Sequence, residues 1–167
     1  MTGNQHVDAL NQAYEEQLQA YSELLAMGEY ERGLLEAGDM ERLVQSLHAK
    51  QTILQRIDSV DLESAKAALL EYFRLEEFSI PKMIKAASFG ERLALERLQG
   101  TLGKLVDILE KLEALEKDNE VLLHRYSNHL SGVSSKQSQV KQAADAYKRS
   151  NQMSKDFPKG EKSGNNS

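Results

Sequence analysis

Apolar residues recur along this chain at alternating steps of four and three, the repeat of one face of an α-helix. Leu10, Tyr14, Leu18, Tyr21 and Leu25 carry the first stripe, and Leu34 and Leu35 close it. The spacing predicts a helix over about 7–37. Gly38 stands where a glycine just past a helix end belongs, and Asp39 where the next N-cap belongs, so Ala37-Gly38-Asp39 reads as a tight turn between antiparallel neighbours. A second helix, over about 40–57, places Leu43, Leu47, Leu54 and Ile57 on one side. Lys50 takes the remaining position of that stripe, its stem expected along the seam and its ammonium in water. Asp58-Ser59-Val60-Asp61 breaks the pattern, with Asp61 or Ser59 as the next cap. A third helix over about 62–78 carries Leu62, Ala65, Leu69, Leu70, Phe73 and Phe78. Pro81 limits it and makes Ser79-Ile80-Pro81 a junction, because proline drives its predecessor from the α region. A short helical turn is expected before Gly90.

The longest stripe comes last. Leu98, Leu102, Leu105, Leu109, Leu112, Glu116, Asn119, Leu123, Tyr126, Leu130, Val133, Gln137, Val140, Ala144 and Tyr147 keep the four-three alternation. It predicts one helix over about 91–149, with a regular stretch of roughly 50 residues, about 75 Å at 1.5 Å per residue. The polar members Glu116, Asn119 and Gln137 weaken the stripe without ending it, and a buried Asn in such a seam fixes register. Gly100 and Gly103 sit inside the helix, each costing about 1 kcal/mol against Ala. From Ser150 the periodicity ends, and 150–167 is expected to be a disordered tail rich in Ser, Asn, Lys and Gly. The fold class is therefore all-α: an elongated antiparallel helical bundle or coiled coil, one domain over 1–149, with a long C-terminal helix.

Composition sharpens this picture. Two prolines and no tryptophan in 167 residues suit long, slim helix contacts. No cysteine is present, which excludes disulfides and thiolate metal sites. No apolar run approaches the roughly 20 residues of a bilayer span, and residues 1–8 lack the features of a secretory signal. A formal net charge of −5 argues against nucleic acid, whose phosphates ask for a basic surface. Chemistry finds no foothold. His124 and His129 are five apart, about 140° around a helix, and cannot share a metal. None of the four histidines has Glu three positions before it, as di-iron bundles need. Gly100-Thr101-Leu102-Gly103-Lys104 fails as a phosphate loop, with Leu98 where its first glycine belongs and Leu105 where magnesium would need Ser or Thr. The pairs Glu15-Glu16 and Glu76-Glu77 lack apolar enclosure. The expectation is a non-enzyme with no catalytic residue, metal or cofactor.

Two blocks carry a resemblance. The first runs Tyr21-Ser-Glu-Leu-Leu-Ala-Met-Gly-Glu-Tyr-Glu-Arg-Gly-Leu-Leu-Glu-Ala-Gly-Asp39, on through Glu41-Arg-Leu43 to Lys50-Gln-Thr-Ile-Leu54. The second is Leu112-Glu-Ala-Leu-Glu-Lys-Asp-Asn119-Glu-Val-Leu-Leu123. A Gly-Asp turn, a following Lys and a distant Asn-x-x-Leu-Leu block, in this order, resemble the FlgN family of flagellar type III export chaperones. The family's usual second asparagine is absent, with Leu122 at its place, and Leu62 to Arg97 lies outside the resemblance. What the resemblance implies is a cytoplasmic helical holdase. Such a protein binds the C-terminal helical region of flagellar hook-associated proteins at the hook-filament junction. It prevents their premature assembly and presents them to the export apparatus, export-gate or ATPase components being further partners.

The stripe itself nominates a surface. A first helix near 30 residues cannot cover one of 50, so the stretch from Leu123 to Tyr147 is expected to be bare, and a bare apolar stripe is a binding surface. Leu123, Tyr126, Leu130, Val133, Val140 and Tyr147 are the expected contacts for an amphipathic partner helix, with residues beyond about Leu130 folding on binding. The competing occupant is a second copy of the chain in a homodimer, since coiled-coil stripes pair with themselves. Competing functions are a structural coiled-coil scaffold and an adaptor of the export machinery without cargo.

Overall fold

A computed structural model describes residues 2–128 and 134–155, with side chains placed over 2–128 and 138–149. Six helices follow one another: α1 Gly3–Ala37, α2 Met40–Asp58, α3 Leu62–Phe73, α4 Ile80–Ala86, α5 Phe89–Asn128 and α6 Ser134–Lys155. The fold is all-α, as the periodicity predicts, and every described segment outside the helices is a short turn or cap. Contacts divide the described chain into two compact units, 2–19 with 58–107, and 20–57 with 108–155.

The first unit is built from the start of α1, α3, α4 and the start of α5. Its core joins Val7, Leu10 and Tyr14 to Leu69, Ile80 and Met83 and to Leu95, Leu98, Leu102 and Leu105. Helix α1 starts four residues earlier than the apolar stripe implies, because Thr2 and Gln5 form a capping box: the Thr2 hydroxyl accepts from the Gln5 amide at 3.4 Å, and the Gln5 side chain accepts from the Thr2 amide at 2.9 Å. Ser88 and Glu91 make the same reciprocal pair and start α5 at Phe89. Glu91 also accepts from the Tyr72 hydroxyl at 2.7 Å, and this bond holds the phenol proton and raises its pKa. Gly3 abuts both side chains, and a Cβ there would collide with Glu91 and Tyr72. Lys66 lies over the rings of Tyr14 and Phe78, 5.7 and 5.4 Å from their centroids.

Helix α3 is shorter than its apolar pattern. It ends at Phe73, not Phe78, because Arg74 adopts the left-handed conformation with φ 56° and ψ 47°. The Arg74 amide bonds the Glu71 carbonyl, and the Leu75 amide the Leu70 carbonyl, a Schellman ending built without glycine. Asp61, not Ser59, caps the start, accepting from the Ser64 amide. Ser79 is extended and caps α4, but Ile80 and Pro81 both lie in its first turn, where proline's missing N–H has no intrahelical partner to lose. The short turn expected before Gly90 is α4.

The second unit joins the rest of α1, α2, the end of α5 and α6. The α1–α2 turn has the predicted chemistry. Gly38 has φ 71°, Asp39 donates its amide to the Leu34 carbonyl at 2.9 Å, and its carboxylate caps the Arg42 amide. Beyond this turn comes the largest departure. The stripe predicts one helix to about 149, but α5 stops at Asn128 and α6 begins at Ser134. Lys50 touches both Glu116 and the Tyr147 ring, residues that a continuous helix would separate by about 46 Å, so α6 returns alongside α5. Residues 129–133 between them lie outside the described residues, and the stripe keeps its seven-residue phase from α5 to α6, so the repeat gives no sign of the return. Helix α6 also runs through 150–155, where disorder is expected. Residues 156–167 of that tail lie outside the described residues.

Arg74 is exposed, and holding a non-glycine residue in the left-handed region costs about 1 kcal/mol. Arg74→Gly is therefore expected to stabilise the chain by about 1 kcal/mol in urea unfolding, and Arg74→Ala, which keeps the backbone strain, to give no such gain.

Candidate functional site

The seam of α1 in the second unit runs through Tyr21, Leu24, Gly28, Glu31 and Leu35, all buried. Two of these five are not apolar, and they organise what surrounds them. Gly28 lies so close to α5 that a Cβ would stand 2.8 Å from Leu115. Its carbonyl accepts from the Asn119 amide group at 2.9 Å, so the seam asparagine fixes α5 against α1, as its position in the stripe implies.

Glu31, one turn on, has no exposed surface and faces Lys50, itself 2 % exposed. The expectation that the Lys50 ammonium stays in water is corrected here: Nζ lies 3.1 Å from Glu31 Oε2 and 2.6 Å from Glu116 Oε1. Burial takes the ammonium out of bulk solvent, and carboxylates satisfy it instead. Ser46 donates to Glu31 Oε1 at 3.2 Å and the Tyr147 hydroxyl to Glu31 Oε2 at 3.0 Å. The Lys50 ammonium also lies 5.2 Å from the centroid of the Tyr147 ring. All four helices of the unit thus meet at one charged point: Glu31 from α1, Ser46 and Lys50 from α2, Glu116 and Asn119 from α5, Tyr147 from α6.

Two buried carboxylates share one ammonium, so the buried side chains hold more acid than base. Desolvation therefore raises the Glu31 pKa, opposed by Lys50 and reinforced by Glu116. Burial likewise pushes the Tyr147 phenol far up, and the two carboxylates add to it. Glu116 Oε2 and Asn119 Oδ1 are buried without a donor among the described residues.

An apolar layer lies beside the charges. Leu34, Leu35, Met40, Leu43, Leu47 and Leu123 pack with Val140, Ala143, Ala146 and Tyr147 of α6. Of the six expected contact residues, the structure brings together Leu123, Val140 and Tyr147, all buried in this layer, with Tyr126 half-buried against it. Tyr126 also donates to the Gly38 carbonyl at 3.3 Å, tying α5 to the α1–α2 turn. Leu130 and Val133 lie outside the described residues. The stripe is not bare over Leu123, Val140 and Tyr147: its continuation on α6 packs in the same layer as Leu123 of α5. Sequence reasoning misses Glu31, taking Leu18 and Leu25 for the stripe where Gln17 and Leu24 are the buried members. The signal was present, since Glu31 and Glu116 at seam positions require a partner and Lys50 occupies the third.

A helical bundle whose last helix folds over a leucine-lined seat suits protein binding. The family model described as FlgN protein matches residues 1–155. This chain belongs to the FlgN family. The match takes in Leu62 to Arg97, which the resemblance in the sequence leaves out. FlgN proteins form a family of flagellar export chaperones, not of enzymes. No curated protein and no solved structure matches the chain significantly. In this FlgN-family chain no described helix is long and apolar enough to cross a membrane. Among the described residues no group of three or more His, Asp or Glu is placed to hold a metal ion.

The charge cluster yields two expected outcomes. Lys50→Met, which strands two carboxylates, is expected to cost about 3–5 kcal/mol, read as a lowered urea midpoint. Because Glu31 holds its proton more tightly when folded, the native state binds more protons than the unfolded chain above the ordinary glutamate value of 4.5. Stability therefore falls as pH rises from that value through the raised native one, then levels off. Urea unfolding across this range is expected to show the fall in the wild type and a flatter profile in Glu31→Gln.

Proposed function

We propose that this chain is a cytoplasmic export chaperone for flagellar hook-associated proteins. It holds their C-terminal helical region, blocks premature assembly and presents them to the type III export apparatus, whose gate or ATPase components are its further partners. The observation that carries this reading is the seat under α6. Six large apolar side chains from three helices are covered by a helix contributing two alanines, a valine and a tyrosine to the layer, so a richer amphipathic helix has much to gain there.

The contact residues are Leu123 and Tyr126 on α5 and Val140 and Tyr147 on α6. In the free chain α6 satisfies the layer. On binding, α6 shifts, the seat opens, and its valine and tyrosine exchange intramolecular partners for those of the client. The Tyr147 hydroxyl acts as a latch, since its bond to Glu31 joins α6 to the charged point. Opening the latch costs that bond, which tempers affinity and makes release reversible.

C-terminal fragments of hook-associated proteins mixed with the full chain are expected to form a stoichiometric complex by light scattering. Tyr147→Phe removes the latch and keeps the ring, so it is expected to bind about tenfold more tightly, the worth of one buried hydrogen bond of about 1.4 kcal/mol. Val140→Asp is expected to bind more weakly. A chain that forms a tight oligomer by itself and ignores every fragment is a scaffold, and that outcome sinks the reading.

A further inference from the structure

When α6 leaves its seat it takes a neutral donor away from the charged point. The Tyr147 hydroxyl is what α6 gives to Glu31, and burial keeps that phenol protonated. Lys141, Lys148 and Arg149 of α6 are exposed, and none of them has an ion-pair partner among the described residues. The described part of α6 thus brings no positive charge to the place where two carboxylates share one ammonium.

What stays behind on the other helices is a set of acceptors. Lys50 takes Glu116 Oε1 at 2.6 Å, while Glu116 Oε2 and Asn119 Oδ1 have no donor among the described residues. Glu116 is 1 % exposed and Asn119 fully buried, and three residues apart on α5 they share one face. Departure of Tyr147 adds another, since Glu31 Oε2 loses the hydroxyl at 3.0 Å. Acceptors that include two carboxylate oxygens are completed best by a donor that carries positive charge.

We propose that the client helix that takes the place of α6 carries one arginine among its apolar residues, and that this side chain enters where Tyr147 stood and donates to Glu116 and Asn119. The inference rests on the chaperone reading and names the feature by which the seat selects its client. Arginine has about the reach of tyrosine, and its planar fork donates through several N–H groups at once, where lysine brings a point charge. Lys50 repels a second cation, but the two bind different oxygens of Glu116, so positive and negative groups alternate and the buried charges balance. A purely apolar helix gains the leucine layer and leaves the acceptors covered and unpaired, which costs affinity. Apolar area therefore admits many helices, and the charge discriminates among them.

Substitution within the chain tests the charge preference without a client. Tyr147→Arg is expected to unfold at a urea midpoint on the order of 0.5 M above that of Tyr147→Met. In a Glu116→Gln background the order is expected to reverse, because Glu31 alone then faces two cations. A midpoint for Tyr147→Arg no higher than for Tyr147→Met, or an order that Glu116→Gln leaves unchanged, overturns the proposal. For the client itself, C-terminal fragments of hook-associated proteins are titrated calorimetrically into the full chain, each Arg and Lys of the fragment changed in turn to Met. One change is expected to weaken binding about thirtyfold, and the same change to matter less than about threefold against Glu116→Gln. Fragments that bind but are indifferent to every such change overturn this proposal and leave the chaperone reading standing. A chain that binds no fragment overturns both.

Discussion

A buried lysine held between two buried glutamates is the constraint on which the second unit depends. Apolar seams tolerate sliding by a turn or rotation by a fraction of one, because leucine meets leucine in many registers. An ammonium 2.6 Å from one carboxylate and 3.1 Å from another does not. Every helix of the unit brings at least one part of the cluster, so a register error in α1, α2 or α5 strands a charge and one in α6 removes the Tyr147 donor. The cluster is not a source of net stability, because desolvation offsets much of the attraction. Its effect is to make one arrangement of leucine-rich helices far better than its neighbours. The Asn119 bond to the Gly28 carbonyl adds a second pin one turn away.

The first unit is specified in another way. It has no comparable charged centre among the described residues, and its definition comes from helix ends. Capping boxes at Thr2 and Ser88, side-chain caps at Asp61 and Ser79, and the left-handed Arg74 fix where each helix starts or stops. Glu91 does double duty, closing its own box and receiving the Tyr72 hydroxyl beside Gly3. Short helices that bury few side chains each rely on such ends, because packing alone leaves their lengths open.

Much of this was legible in the sequence and some was not, for physical reasons. The turn at Gly38-Asp39 was readable because its chemistry is local. The buried face of α5 was readable from Leu98 to Leu123 because the period persists for many turns. The end of α3 was not, since Arg74 gives no compositional sign of a left-handed residue and Phe78 extends the apolar pattern beyond it. The return of α6 was hidden because the interruption after Asn128 preserves the repeat, and periodicity records which face is apolar but not which way the helix runs. The stripe from Leu123 to Tyr147 reads as uncovered, and at Leu123, Val140 and Tyr147 the chain's own α6 completes the layer. Glu31 is hidden from hydrophobic periodicity because it is a polar residue at a buried seam position.

The trio at the centre of the second unit also bears on how such a chain can change over generations. Its members are 19 and 66 positions apart along the sequence, so no local rearrangement of the gene exchanges them together. Replacing Lys50 first leaves two carboxylates buried together, and once a glutamate has gone the remaining pair cannot lose either member without a buried charge left over. The route from this centre to an all-apolar one crosses a valley, although both ends stand on firm ground. Lineages that inherit the trio are therefore held by the path to Lys50 with at least one of its carboxylates. Surface positions beside it remain free to drift.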